Sequence, residues 1–376
     1  MKHLWRLAVL PVSLGLLWFW MPAANAAYAT NPNPGWYPNN GIVYSMSVDN
    51  GVVYIGGGFT ALRNSVTNQT VARNRLAAFD ATTGDLLPWN PGADGNVRAL
   101  DVGPDGTIYA GGDFTHVAGA ADERLAAITP AGTAVPTWTG STNNTVRTII
   151  ATAGGVYVAG NFARVDNVSQ NGVALLDSST GARNLGFDAQ VTTGKVRSMT
   201  LDGGTLYVGG TFQALSGLAR PYAGAVDATS GAPTAWAPAA ICDGCQLIDM
   251  DNEGGHVFAA IGGPGGGRAV SWEKADASRD WQRHSDGDCQ TITVADGLVY
   301  AAGHFGPNFD NNTRHELAVL DEATGQLQSY QLPFTGNDHP GLWAVSAEPG
   351  QLRIGGGGTE LVGTSIRRYA TFPTIN

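Results

Sequence analysis

The sequence comprises 376 residues, with 52 glycines, 14% charged residues and a formal net charge of −10. An acidic surface with few lysines repels phosphate backbones and anionic lipids, so we expect neither nucleic-acid binding nor membrane insertion. Few helix-forming residues accompany many β-branched and turn-forming ones, which favours an all-β fold.

The first 26 residues have the pattern of a secretory signal peptide. Lys2 and Arg6 precede an apolar core over residues 7–21, and Ala24-Asn25-Ala26 supplies small residues for cleavage. No later stretch approaches about 18 consecutive apolar residues, the length that a spanning helix needs. We therefore predict a signal peptide over 1–26, a single domain over 27–376 and a secreted or periplasmic location.

A glycine motif recurs along the rest of the chain. It reads YIGGGF at 54–59, YAGGDF at 109–114, YVAGNF at 157–162, YVGGTF at 207–212 and YAAGHF at 300–305, with degenerate copies at 258–267 and 352–358. An apolar run precedes each copy, and turn signals such as Asp49-Asn50-Gly51 lie between the two, which predicts a hairpin. A third apolar run follows each motif and ends in a turn. We interpret the recurring aspartates of these turns as turn residues, not catalytic ones: Asp80, Asp177, Asp227 and Asp321.

An aromatic residue recurs at the predicted end of the fourth strand of each repeat: Trp36, Trp89, Trp138, Phe187, Trp236, Trp281 and Tyr330. Trp36 precedes the first repeat, whereas the last repeat stops after its third strand. The segment around Trp36 is therefore predicted to supply the missing fourth strand of the last blade. Repeated four-stranded units with this closure predict a seven-bladed β-propeller.

The motifs also resemble the delta-60 type repeats of secreted bacterial β-propeller proteins. VYIGGGFTALRN and RLAAFDATTGDLLPW resemble the repeat itself, and GDCQTITVADGLVYAAGHF is similar to the actinobacterial members. The resemblance implies a propeller over essentially the whole mature chain. It implies no catalytic residues, because the family has no defining reaction.

Three cysteines, Cys242, Cys245 and Cys289, allow one disulfide in an oxidising compartment. Cys245 and Cys289 occupy similar places on neighbouring innermost strands, so we expect a Cys245–Cys289 bridge between the fifth and sixth blades. Cys242–Cys289 and Cys242–Cys245 are the alternatives. The C-x-x-C spacing lacks the second ligand pair of a zinc site and the βαβ context of a redox motif.

The loops that enter the innermost strands and the loops that leave the second strands are predicted to meet at one mouth of the central channel, where propellers commonly bind ligands. The second position of the innermost strand is arginine in three consecutive repeats, and the last two repeats add acidic, imidazole and aromatic groups. The candidate ligand-binding residues are Arg98, Arg147, Arg197, Asp288, Gln290, His304, Asp338, His339 and Trp343. Alternatively, the arginines pair with Asp113 or nearby loop acids, and His304 bonds a carbonyl in its own loop.

A mouth that is cationic on one side and acidic on the other suits a carboxylated sugar, a peptide or a metal-bridged ligand. We expect a monomeric, secreted, non-enzymatic propeller without a cofactor that binds a glycan or a secreted protein. One alternative is a metal-assisted hydrolase or lyase that uses a divalent metal with His304, His339, Asp288 and Asp338. The other is a structural component of an envelope or sheath.

Overall fold

The computed structural model describes residues 28–334, 341–359 and 367–375, and every regular element in these ranges is a β-strand. The all-β expectation is therefore confirmed. No helix in these ranges is long and apolar enough to cross a membrane. The predicted signal peptide and the predicted site residues Asp338 and His339 lie outside the described residues.

The first half of the chain contains β1 (Trp36–Pro38), β2 (Val43–Asp49), β3 (Val52–Gly57), β4 (Ala61–Asn64), β5 (Thr70–Ala72), β6 (Leu76–Asp80), β7 (Val97–Val102), β8 (Ile108–Gly112), β9 (His116–Val117), β10 (Ala120–Ala121), β11 (Leu125–Ile128), β12 (Val146–Thr152), β13 (Gly155–Gly160), β14 (Arg164–Val165), β15 (Val168–Ser169) and β16 (Val173–Leu176). The second half contains β17 (Val191–Thr192), β18 (Val196–Asp202), β19 (Thr205–Gly210), β20 (Ala214–Leu215), β21 (Leu218–Ala219), β22 (Ala223–Asp227), β23 (Gln246–Glu253), β24 (His256–Gly262), β25 (Gly267–Glu273), β26 (Arg279–Ser285), β27 (Cys289–Ala295), β28 (Leu298–Gly303), β29 (Leu317–Asp321), β30 (Leu342–Glu348), β31 (Gln351–Thr359) and β32 (Arg367–Pro373).

The long strands form antiparallel sheets in which each strand pairs with the next long strand of the chain. We label them sheet A (β2-β3-β6), B (β7-β8-β11), C (β12-β13-β16), D (β18-β19-β22), E (β23-β24-β25-β26), F (β27-β28-β29) and G (β30-β31-β32). Short hairpins, β4–β5, β9–β10, β14–β15 and β20–β21, are inserted between the second and third strands of sheets A to D.

The first strands of the sheets contact one another in chain order, from β2 through β7, β12, β18, β23 and β27 to β30, and β30 contacts β2. Sheets A and G also share one apolar cluster, in which the ring of Tyr369 stacks on Phe79 with centroids 5.0 Å apart. Arg353 Nη2 donates to the carbonyl of Ala81 at 3.2 Å. The first and last sheets are therefore neighbours in the fold.

The glycine motif allows adjacent sheets to pack closely. A Cβ added at Gly56 would lie 2.7 Å from the Val97 side chain, and one at Gly111 would lie 2.6 Å from Val146. Each of these valines begins the first strand of the next sheet. Because the motif residue has no side chain, the next sheet packs directly on the second strand.

The predicted fourth strand is complete in sheet E alone among the described residues. In sheets A to D and F, an isolated bridge marks the fourth position: Phe79↔Leu86, Ile128↔Ala134, Leu176↔Arg183, Val226↔Pro233 and Leu320↔Leu327. Prolines such as Pro88 and Pro136 lie in three of these segments and lack the N–H group that a ladder requires. The expectation of four full strands in every blade is wrong for these sheets.

The strand around Trp36 also departs from the prediction. β1 pairs with β4, with Trp36 opposite Asn64. The preceding segment lies along β32 instead, where Ala29 N–H donates to the Pro373 carbonyl at 2.7 Å. The N-terminal segment therefore lies along the last sheet before Trp36: Tyr28 bridges to Thr374, and the Asn33 N–H donates to the Thr371 carbonyl at 2.8 Å. The chain then bends at Pro34-Gly35 into β1, which still contacts β32.

The recurring tryptophans connect neighbouring sheets. The indole N–H of Trp89 donates to the Thr129 carbonyl at 3.3 Å, and that of Trp281 donates to the Glu322 carbonyl at 2.8 Å. In both cases the acceptor follows the third strand of the next sheet. The aromatic position that marks each repeat therefore contributes to the packing between sheets.

The disulfide joins Cys242 and Cys245, whose Cα atoms are 5.5 Å apart, and Cys289 is a buried free thiol. The expected Cys245–Cys289 bridge is wrong. Cys245 packs in an apolar cluster between sheets D and E, whereas Cys289 packs in a different one between E and F. The turn at Gly244, with φ of +73°, brings Cys242 and Cys245 together locally.

Candidate functional site

A cavity of about 290 Å³ lies among the first strands of sheets A to G. Each sheet contributes to the lining the residue at the second repeat position of its innermost strand: Tyr44, Arg98, Arg147, Arg197, Ile248, Gln290 and Trp343. Five predicted site residues, Arg98, Arg147, Arg197, Gln290 and Trp343, therefore meet around one space.

A β-bulge occurs at this position in each of the sheets. The strand pairing slips between Val43 and Ser45 in sheet A, between Val97 and Ala99 in sheet B, and at the corresponding residues of sheets C to G. A bulge leaves one residue out of the ladder and changes the direction of its side chain. The repeated bulge thus presents one side chain per sheet to the cavity.

Arg98 has a carboxylate partner. Its Nε donates to Asp113 Oδ2 at 2.7 Å, and its guanidinium carbon lies 4.8 Å from the centroid of the Tyr44 ring. Thr145 Oγ1 donates to the other carboxylate oxygen of Asp113 at 2.7 Å. Although burial raises the pKa of Asp113, the Thr145 hydrogen bond and the Arg98 charge hold it below its usual value. The predicted pairing with Asp113 is therefore confirmed for Arg98.

Arg147 and Arg197 have neutral partners. Arg147 Nε donates to Asn161 Oδ1 at 3.1 Å, and Arg197 Nη2 donates to Gln246 Oε1 at 2.7 Å. Neither guanidinium forms an ion pair with a carboxylate of the described residues. Burial, with repulsion from Arg197 and Arg98, lowers the pKa of Arg147 to about 10, so its charge persists at neutral pH. Two positive charges therefore face the cavity without a salt bridge in the described ranges, although the charges of Asp113 and Asp288 act on Arg147 and Arg197 from a longer distance.

An aromatic pair adjoins the arginines. Tyr44 and Trp343 meet edge to face, with ring centroids 5.8 Å apart. Because β30 contacts β2 and β2 contacts β7, this pair lies beside Arg98 in the order of the sheets. Aromatic faces, guanidinium groups and the Gln290 amide are thus combined in one lining.

Two carboxylates that the sequence analysis did not single out also line the cavity, Asp249 and Asp251 of β23. Asp249 accepts hydrogen bonds from the hydroxyls of Ser198 and Thr291, both at 2.9 Å, and from the backbone N–H groups of Met250 and Ile292. Burial nevertheless raises its pKa to about 6. The alternating I-D-M-D pattern on an innermost strand was the available signal, since it directs both acids to one face.

Asp288 and His304 lie together beside the cavity: neither is among its lining residues, but the Asp288 carboxylate is close enough for its charge to act on Arg197. The His304 N–H donates to the Asp288 carbonyl at 3.2 Å, and Asp288 Oδ1 accepts the Gly263 N–H at 2.7 Å. The other two residues of the predicted acidic side, Asp338 and His339, are outside the described ranges. A metal-assisted reaction at these four residues stays a prediction.

Comparison with known proteins places the fold. Residues 103–134 match a family described as a β-propeller domain of unknown function, DUF5122. No curated protein matches the sequence. A chain of the mitotic checkpoint complex is similar over 99% of both chains, at 14% identity and a TM-score of 0.59.

The WD40 β-propeller domain of Doa1 is similar over 92% of this chain and 98% of its own, at 9% identity and a TM-score of 0.56. BamB from Moraxella catarrhalis is similar over 89% of this chain and 83% of its own, at 14% identity and a TM-score of 0.51. The chain has a β-propeller fold. At these identities the likeness establishes the fold and not the function.

Proposed function

We propose that the chain is a closed seven-bladed β-propeller, with one blade for each of the sheets A to G. Two observations support closure: the first strands contact in a cycle that returns from β30 to β2, and sheets A and G share an apolar cluster. The cavity is then the central channel. The bulged residues form a ring near one of its mouths.

We further propose that this is a secreted, non-enzymatic binding protein whose ligand presents a carboxylate to Arg147 and Arg197. One observation carries the proposal: both guanidiniums line the cavity, and in the described residues each hydrogen-bonds an amide and forms no salt bridge. A partly buried charge gains free energy from an opposite charge that replaces its lost hydration. A ligand carboxylate would supply that charge, and its two oxygens match the planar guanidinium fork.

A uronic-acid residue of a glycan fits the rest of the lining. The cavity, about 290 Å³, lies at the small end of the range for ligand sites and suits a single sugar unit. The rings of Tyr44 and Trp343 offer apolar faces to a sugar ring, while the Gln290 amide offers a hydrogen-bonding group. An acidic side chain of a secreted protein has the same charged group without the sugar ring.

Isothermal titration of the mature chain with a uronic-acid oligosaccharide tests the proposal. Arg147→Gln and Arg197→Gln should each weaken binding by about tenfold or more, because a charge-assisted hydrogen bond contributes about 1.5–3 kcal/mol. Arg73→Gln is the matched control, since Arg73 bonds the carbonyls of Ala72 and Leu87 outside the cavity. Unchanged affinity in both cavity variants would exclude the cavity as the site. Equal binding of a neutral oligosaccharide would exclude the carboxylate.

A further inference from the structure

A second group of polar side chains lies at the opposite end of sheet E from the arginine cavity. His256 begins β24, whereas Gly262 ends it next to the cavity-facing bulge, so about 20 Å of strand separates the two ends. Around His256 lie Glu273, its cross-strand partner on β25, and Asp280 on β26. None of these residues belongs to the cavity lining.

One ligand atom from each of these three side chains lies within 4.8 Å of the other two. His256 Nδ1 is 3.6 Å from Asp280 Oδ2 and 3.9 Å from Glu273 Oε1. Both distances are too long for hydrogen bonds. The Nδ1 atom is nevertheless buried and has no hydrogen-bond partner in the described part of the chain.

An unbonded imidazole nitrogen directed between two carboxylates suits a bound cation. Zinc ligands at about 2.1 Å from the metal are roughly 3.4 Å from one another in a tetrahedron, so small rotations of the carboxylates would complete the geometry. Glu273 and Asp280 are free to make such rotations, since 40% and 27% of their side-chain surfaces are exposed.

The complete fourth strand of sheet E, which distinguishes it from the other sheets in the described residues, brings His256, Glu273 and Asp280 together. This strand supplies Asp280, and a slip in pairing between Ser271 and Trp272 leaves Asp280 without a residue opposite it. Bulges of this kind redirect a side chain and are frequent beside functional sites. The imidazole and the two carboxylates therefore come from three adjacent strands, which hold them in a fixed arrangement.

We propose that His256, Glu273 and Asp280 form a binding site for one Zn²⁺ ion. The three side chains supply one nitrogen and two oxygen ligands, and a fourth position stays open to water or to a group of a partner. A site with an open position and N/O ligands is typical of zinc in proteins. The site is separate from the arginine cavity and does not depend on the ligand proposed there.

Titration of the untagged, chelator-treated protein with ZnCl₂ tests this site by calorimetry. The unaltered chain should bind one equivalent of Zn²⁺. Asp280→Asn and Glu273→Gln should each raise the dissociation constant by at least about tenfold, since loss even of groups behind the ligands costs 10–100-fold in affinity. With Co²⁺ as the probe, the visible spectrum should show four-coordinate binding that both variants reduce.

His116→Asn is the matched control, because His116 Nδ1 also faces a carboxylate, that of Asp94 at 3.1 Å, but forms an ion pair with no second acid in the described residues. It should leave the stoichiometry and affinity unchanged. Asp280 lies on the outermost strand, so Asp280→Asn is the variant least expected to disturb folding, and the thermal midpoint of each metal-free variant checks this. Absence of stoichiometric binding in the unaltered chain, or equal binding by Asp280→Asn and Glu273→Gln, would overturn the proposal.

Discussion

Sheets B to D and sheet E line the same cavity with opposite charges. The bulged residues of B to D are Arg98, Arg147 and Arg197, whereas sheet E has Ile248 there, followed by the buried Asp249 and Asp251. The arginines have hydrogen-bonding groups left for a ligand. The aspartates instead bond the neighbouring strands. The same part of the repeat therefore presents cationic side chains to the cavity in three sheets and provides a structural function in another.

The structural function is to join first strands that share no ladder. In sheets A and B, Ser45 Oγ accepts the Leu100 N–H at 3.0 Å, and Asp101 Oδ2 accepts the Ala151 N–H at 2.8 Å. In sheet E, the single residue Asp249 accepts hydrogen bonds from residues of β18, of β27 and of its own strand. We therefore expect the free energy of unfolding to depend far more on Asp249 of sheet E than on the Ser45 hydroxyl of sheet A.

Asp249→Ala should therefore give the largest loss of stability. It removes the acceptor of four donors, of which, among the described residues, only the Met250 N–H keeps another, Ser198 Oγ at 3.1 Å. Because an unsatisfied buried group costs about 1–3 kcal/mol, we expect a loss of about 3 kcal/mol or more in the free energy of unfolding. Ser45→Ala removes a single acceptor and should cost about 1 kcal/mol. Urea unfolding at neutral pH measures both, and similar losses would contradict the difference between the two sheets.

The pH dependence of stability isolates the charge of Asp249. Its pKa in the folded state is about 6, against 3.8 for the free group, so the folded chain binds this proton more tightly than the unfolded chain. The stability that the folded chain gains by holding this proton is fully present below about pH 4. It is lost as pH rises to about 6, and the loss in the free energy of unfolding is at most about 3 kcal/mol.

Asp249→Asn removes the titrating group and serves as the reference. The unfolding free energy of the unaltered chain, minus that of Asp249→Asn, should fall between pH 4 and 6 and level off above. Other acids titrate equally in both proteins and cancel in this difference. Parallel curves would mean that the carboxylate of Asp249 is not buried as described.

The smallest change in stability is expected from the hydrogen bond by which Trp281 connects two sheets. Trp281→Phe removes the indole hydrogen bond to Glu322 and should cost about 1 kcal/mol more than Trp138→Phe. Trp138 is the matched control, because its buried indole N–H has no partner in the described part of the chain. Thermal unfolding compares the two variants, and an equal loss would show that the hydrogen bond adds nothing to ring packing.

The repeats made the local structure predictable. The glycine motif, the turn aspartates and the position of Arg98, Arg147 and Arg197 on the innermost strands all follow from periodicity, and the structure brings these arginines to one cavity. Asp80, for example, accepts the Thr82 N–H at 2.9 Å, as its place before a tight turn predicts.

Features that depend on departures from the repeat could not be predicted in this way. The Cys242–Cys245 pairing depends on a local turn, and the path of the chain before Trp36 depends on Pro34-Gly35. Asn161 was not recognised as an arginine partner, although it occupies the motif position that Asp113 has in the preceding repeat. Gln246 was not recognised because it belongs to the next sheet, so its bond to Arg197 has no counterpart in the Arg98 and Arg147 pairings. Asp249 was missed because an acid on an innermost strand conflicts with the usual preference for apolar residues there.

A crystal structure of the mature chain in complex with a uronic-acid disaccharide would show whether Arg147 and Arg197 bind the ligand carboxylate. We expect the uronic-acid unit to lie within the cavity, with its carboxylate in hydrogen-bonding contact with the guanidiniums of Arg147 and Arg197 and its ring near Tyr44 and Trp343. A disaccharide bound elsewhere, or bound in the cavity with its carboxylate directed away from both arginines, would contradict this expectation.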